Sequence, residues 1–84
     1  MLNAITFSEF RRVLGALGFH ESRVKGSHIV FRHEPTDTIF LSPLGTKRVD
    51  PQRIACVRQL ITGRGVATAA RFDALLDSIC GEKV

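Results

Sequence analysis

The chain has no tryptophan and no tyrosine, so its six phenylalanines must supply all the aromatic packing. It has two cysteines, Cys56 and Cys80, and both fall in stretches of helical periodicity. They form no CxxC pair and no paired-histidine motif accompanies them, which argues against a zinc site. The expectation is two buried free thiols in a reducing compartment. No cluster of carboxylates suited to Mg²⁺ occurs, so neither a metal nor another cofactor is expected. No apolar run approaches the ~20 residues of a membrane span. The N-terminus lacks a charged segment followed by an apolar one, so no secretory leader is expected and a cytoplasmic protein is. Internal repeats and low-complexity tracts are also missing.

What is present is one small domain's worth of chain. Eighty-four residues cannot hold a second independent core. The chain is 44% hydrophobic and 24% charged, which is globular rather than disordered usage. A domain of this size is marginally stable, so a partner or a second copy would help it. Its net charge of +4 is unevenly spread. Residues 1–64 hold ten Lys/Arg against five Asp/Glu, whereas residues 65–84 hold two against three. A basic body fits a polyanionic partner such as nucleic acid, and it equally fits a soluble basic surface.

Thr6-Phe7-Ser8-Glu9 reads as a capping box. Phe7, Phe10, Val13, Leu14 and Leu17 follow at helical spacing, and Gly18 is placed to end the helix in a left-handed conformation. Residues 1–5 are then a lead-in. Phe19 to Val24 reads as an edge strand, Lys25-Gly26-Ser27 as a turn, and His28 to His33 as a second strand. Glu34 to Asp37 is a loop, and Thr38 to Ser42 is a third strand. In this reading Ile29, Phe31, Ile39 and Leu41 face the core, while His28, Arg32 and Phe40 face outward. Pro43 to Arg48 is a loop holding Gly45 and the adjacent cations Lys47 and Arg48. Asp50 caps a second helix with Pro51 at its first position, and Ile54, Val57, Leu60 and Ile61 form its apolar side. Gly63-Arg64-Gly65 stops it. Thr68 caps a third helix carrying Phe72, Leu75, Leu76 and Ile79, which Gly81 ends. The expected class is α+β: a helix, a three-stranded antiparallel meander and a second helix, with helices on one sheet face and an extra C-terminal helix. Residues 1–65 would form the domain. Residues 66–84 would add a helix packed on that domain or on a partner.

The Leu17-Gly18-Phe19 helix end, the run Arg23-Val24-Lys25-Gly26-Ser27-His28-Ile29-Val30-Phe31 and the Val49-Asp50-Pro51 helix start carry a resemblance. Over about residues 7–62 the chain resembles the HicA family of toxins. The resemblance implies a double-stranded-RNA-binding-like α-β-β-β-α fold. It also implies a ribonuclease that cleaves mRNA independently of translation, with the histidine of the Gly-Ser-His turn, here His28, as the catalytic residue. A HicB-type antitoxin would bind and block it, in a hetero-oligomer or beside a homodimer. The third helix is an addition to the family's usual pattern, and it could cover part of the sheet face assigned to RNA.

The residues bear on this directly. RNA is cut when its 2′-hydroxyl attacks the adjacent phosphorus. Imidazole suits the proton transfers because its reference pKa of ~6.5 makes both forms accessible near neutrality. Lys25 and Arg32 could balance phosphate charge, and the Ser27 hydroxyl or the Gly26 and Ser27 amides could hold a nonbridging oxygen. Arg23, Lys47 and Arg48 could follow the RNA backbone, as could Arg53 and Arg58. Phe40 on the open face could stack a base or meet a protein. From its residues alone, a single histidine at a turn reads first as a packing group, and the resemblance is what makes His28 catalytic. His20 and His33 read as surface or packing residues, with a second proton transfer as their other possible role. Two other functions remain open: a non-catalytic RNA-binding module of the same fold, and a DNA- or protein-binding pair formed by the last two helices. Asp73 and Asp77 speak against the last helix as a groove reader.

Overall fold

A computed structural model describes residues 5–43 and 47–80, apart from the side chains of Arg23, Lys25 and Cys80. The expected helix end at Gly81 and the loop glycine Gly45 lie outside the described residues. The chain is α+β. In order it forms β1 (Ile5–Thr6), α1 (Phe7–Ala16), β2 (His20–Lys25), β3 (His28–His33), a 3₁₀ turn (Glu34–Thr36), β4 (Thr38–Pro43), β5 (Arg48–Val49), α2 (Pro51–Gly63) and α3 (Ala69–Cys80). The central sheet is antiparallel in the order β2-β3-β4. This is the α-β-β-β-α arrangement with a further C-terminal helix.

Local chemistry sets the helix ends. The Glu9 N–H donates to Thr6 Oγ1 at 3.1 Å and the Thr6 N–H donates to Glu9 Oε1 at 2.8 Å, so two otherwise orphaned donors are satisfied reciprocally. Asp50 Oδ1 accepts from the Arg53 N–H at 2.9 Å, and Thr68 Oγ1 accepts from the Arg71 N–H at 3.1 Å. Gly18 follows α1 at φ +98, beyond the reach of most side chains. A Cβ there would also lie 3.2 Å from His33 Cδ2 and Nε2. Gly18→Ala is therefore expected to cost about 1–2 kcal/mol from the left-handed conformation alone, with ring crowding added. A lowered denaturant midpoint with an unchanged slope would register this.

One core holds the layers together. Phe10 of α1 meets Phe31 of β3 edge-on, with ring centroids 6.2 Å apart. Ile54, Val57 and Ile61 of α2 bury into the same cluster, as do Phe72, Leu76 and Ile79 of α3. α3 lies against α1 and α2. Arg58 of α2 grips the Asp73 carboxylate of α3 with bonds of 2.9 and 3.0 Å. That grip holds Asp73 below the ordinary carboxylate range. Its contribution is present above that range and is lost as pH falls below it, and solvent screening keeps it small.

The structure corrects the third strand. Ile39 and Leu41 are 49% and 50% exposed, and Phe40 packs against the core instead. Phe31 pairs directly with Phe40, so the two share a face and stack at 5.3 Å. Thr38 and Ser42 accompany Phe40 inward and are buried. Thr38 keeps its hydroxyl satisfied through Thr36 Oγ1 at 2.7 Å. Two further differences concern the lead-in and a thiol. Ile5–Thr6 pairs with Arg48–Val49 in a small antiparallel ribbon, extended by the Phe7 N–H donating to the Lys47 carbonyl at 3.1 Å. Cys56 is exposed rather than buried, because it lies on α2 away from the Ile54/Val57/Ile61 stripe.

Candidate nucleic-acid interface

The candidate site is built on the β2–β3 hairpin. Lys25 and His28 are paired Cα partners, leaving Gly26 and Ser27 as a two-residue connection. Gly26 takes φ +63 while Ser27 stays at negative φ. That sign pattern belongs to a II′ turn, whose twist matches the flanking strands and whose first central residue is normally glycine. The turn thus brings His28 to the tip of the hairpin as the first residue of β3. Gly26, Ser27 and His28 are all exposed.

Alternation along β3 sets the two faces. Ile29, Phe31 and His33 are buried under the helices, and His28, Val30 and Arg32 occupy the outer face. The register continues that face onto β4 through the pairs Val30↔Leu41 and Arg32↔Ile39. The outer face therefore combines an imidazole, a guanidinium and a patch of aliphatic side chains. α3 does not cover it, because that helix packs on α1 and α2.

Arg32 is half-buried. Its Nη2 lies 3.7 Å from Asp37 Oδ1, and its Nε is buried without a hydrogen-bond partner. Nε is closed to an incoming ligand, so a phosphate oxygen would meet the exposed part of the guanidinium instead. His28 and Arg32 lie four positions apart along the strand, a distance of about 13 Å. The two can touch neighbouring positions of a polymer but not one phosphate.

The remaining sequence-predicted residues separate into groups. Arg23 pairs with Val30 through the backbone ladder, beside the register shift between Glu21 and Arg23. Lys47 and Arg48 are exposed on the β5 side, in the ribbon with β1 rather than on the central sheet. Arg58 is engaged by Asp73, which leaves it a structural role. His33 is buried, with Nδ1 2.8 Å from Thr36 Oγ1 and its ring 5.3 Å from that of Phe19. His20 is exposed, 4.0 Å from Glu34 Oε2, and pairs with Arg32 at the far end of the sheet. Both histidines lie four or five strand positions from His28, about 13–16 Å away, so neither shares a reacting phosphate with it. Phe40 is turned inward and offers no base-stacking ring on the outer face.

A concave part of the surface lies elsewhere. A groove of about 450 Å³ runs between β4 and α2, lined by Phe40, Leu41, Arg53, Cys56, Val57 and Leu60 among others. The sequence reading missed it, along with the exposed Ile39 and Leu41. The signal that would have revealed both is the parity of β4 against β3.

Among the described residues, no group of three or more His, Cys, Asp or Glu side chains converges in a way that could hold a metal ion. No helix of the described chain is long and apolar enough to cross a membrane. Neither a curated protein nor a solved structure matches the chain. The family model described as the HicA toxin of bacterial toxin-antitoxin systems matches residues 7–60, from the first residue of α1 to well inside α2. That segment contains the whole sheet and the hairpin bearing His28. A match over more than half of the chain, on a fold with the expected order of elements, leads to one conclusion: this chain belongs to the HicA toxin family, the toxins of bacterial toxin-antitoxin systems.

Proposed function

We propose that the chain is a ribonuclease that cleaves mRNA independently of translation, that His28 carries its proton transfer, and that a HicB-type antitoxin neutralises it. The observation that carries this reading is an exposed imidazole at the tip of a II′ hairpin, on an uncovered sheet face, in a chain of this family. RNA lies along the outer face. The 2′-hydroxyl oxygen attacks the adjacent phosphorus as His28 accepts its proton. An O2′–P bond forms and the P–O5′ bond breaks. The leaving 5′-oxygen takes a proton from water, and the products are a 2′,3′-cyclic phosphate and a 5′-hydroxyl. Lys25, Ser27 and the Gly26 and Ser27 amides serve the scissile phosphate. Arg32 meets a flanking phosphate through the exposed part of its guanidinium. Arg23, Lys47 and Arg48 add weaker, longer-range attraction.

A second reading has one observation in its favour. No other histidine among the described residues reaches the phosphate that His28 would serve, which suits a non-catalytic RNA-binding module of the same fold. Purified protein incubated with mRNA separates the two. The catalytic reading expects fragments ending in a cyclic phosphate, formed at an unchanged rate in excess EDTA because no step uses a metal. Retarded but intact RNA would establish the binding module. Cleavage abolished by EDTA would sink the one-histidine chemistry.

A further inference from the structure

The sheet has two free edges, and they differ in kind. β2 reads His-Glu-Ser-Arg-Val-Lys and carries a register shift between Glu21 and Arg23. Charges and an irregular register guard an edge against strand addition. β4 reads Thr-Ile-Phe-Leu-Ser-Pro, carries no charge, and pairs with β3 without a shift. Antiparallel pairs alternate between those that exchange hydrogen bonds and those that do not. His28 closes the two-residue hairpin toward β2, and the residue opposite it on β4 is Pro43, which has no N–H. The bonded pairs of β3 with β4 are therefore Ile29↔Ser42, Phe31↔Phe40 and His33↔Thr38. The N–H and C=O groups of Ile39 and Leu41 point away from the sheet. Among the described residues, no hydrogen bond from a turn, loop or side chain reaches them.

Beside this edge runs the groove between β4 and α2. An edge strand facing a helix across a groove is the geometry of peptide capture by strand addition: the backbone ladder supplies affinity and the groove takes alternate side chains. We infer that β4 is the docking strand for an extended segment of the chain's protein partner, an acidic segment with alternating apolar residues. A strand is what the unpaired Ile39 and Leu41 backbone groups require. Apolar alternation follows because side chains opposite Phe40 enter the groove toward Val57 and Leu60, while those opposite Ile39 and Leu41 extend the exposed aliphatic patch. Acidity follows from charge complementarity. Asp50 and Arg53 both line the groove and offset each other, so the balance is set by Lys47 and Arg48, exposed just before α2, and by the net positive charge of the whole chain. A toxin of a toxin-antitoxin family has a protein partner, and a strand added here would lie about 10 Å from β3, close enough to the His28 tip to obstruct RNA. The inference rests on that family membership and not on what His28 catalyses.

The test uses the full chain labelled with ¹⁵N and a nine-residue blocked peptide of alternating glutamate and valine, with its lysine–valine counterpart as control. The acidic peptide is expected to slow amide exchange at Ile39 and Leu41. The basic peptide should bind about tenfold more weakly. Leu41→Pro removes an outward donor and no internal ladder bond, so it should abolish the protection at the remaining Ile39 amide while circular dichroism stays unchanged. Cys56→Trp fills the groove from the exposed helix side and should weaken the peptide in the same way, which covers the case that the proline variant misfolds. Absence of protection at Ile39 and Leu41, or equal protection by both peptides, overturns the inference. Protection that appears on raising protein concentration alone assigns the edge to a second copy and overturns it as well. No RNA enters the assay, so its failure would leave the His28 reading standing.

Discussion

His28→Ala is expected to abolish mRNA cleavage and growth arrest while leaving the fold intact. General acid–base catalysis by one positioned group contributes about 10²–10⁴-fold, so the variant should fall to the background of uncatalysed cleavage. The fold survives because His28 is exposed, begins its strand and has no side-chain hydrogen bond or ion pair to lose among the described residues. Its backbone pairing with Lys25 does not depend on the ring. The measurement is induction of both proteins from a tight promoter, following growth and mRNA integrity, with circular dichroism and melting as folding controls. Wild type that fragments mRNA beside an inert, folded His28→Ala places the chemistry at this residue. Two equally toxic proteins would point to binding instead. Two harmless proteins that still bind RNA would make the chain a binding module.

Phe72→Ala should produce the largest loss of stability. Phe72 is completely buried in α3, within the same cluster as Phe10, Phe31 and Ile54. Removing a ring from such a site costs about 3–5 kcal/mol in lost transfer energy and residual cavity. Small domains hold only about 5–15 kcal/mol in total, so the variant should lose a large share of its stability and melt at a markedly lower temperature. The consequence reaches beyond one residue, because α3 lies outside the family-matched segment. If its role is structural, truncation before Ala69 should behave like Phe72→Ala. Urea unfolding of the two variants checks this. A stable, active truncation would make α3 an accessory.

The legible parts of the molecule are those governed by neighbours in sequence. The Thr6/Glu9 box, the Asp50 and Thr68 caps, Gly18 after α1 and Gly26 in the hairpin are local hydrogen-bonding or backbone devices, and each sits where the residues place it. A two-residue turn also fixes its own register, so the outward placement of His28 and Arg32 could be read in advance. The third strand could not. Its hydrophobic residues, Ile39 and Leu41, are the exposed ones, while Thr38 and Ser42 are buried. The connection from His33 to Thr38 combines a 3₁₀ turn with Asp37 at φ 53, and its length alone does not specify parity. A slip of one residue exchanges the faces of the whole strand, which is why Phe40 stacks on Phe31.

By itself, then, the sequence determined the element order, the helix ends, the hairpin that exposes His28 and the resemblance carried by its motifs. These depend on interactions within a few residues, and tertiary context has little power to override them. Only the tertiary structure decided which face β4 shows, that Ile5–Thr6 finds Arg48–Val49, that α3 packs on the helical side, and that a groove opens beside the β4 edge. Each of these is a meeting between segments far apart in the chain. Their outcome depends on the summed burial of many side chains, such as Phe72 in the shared core, and no single motif encodes that sum.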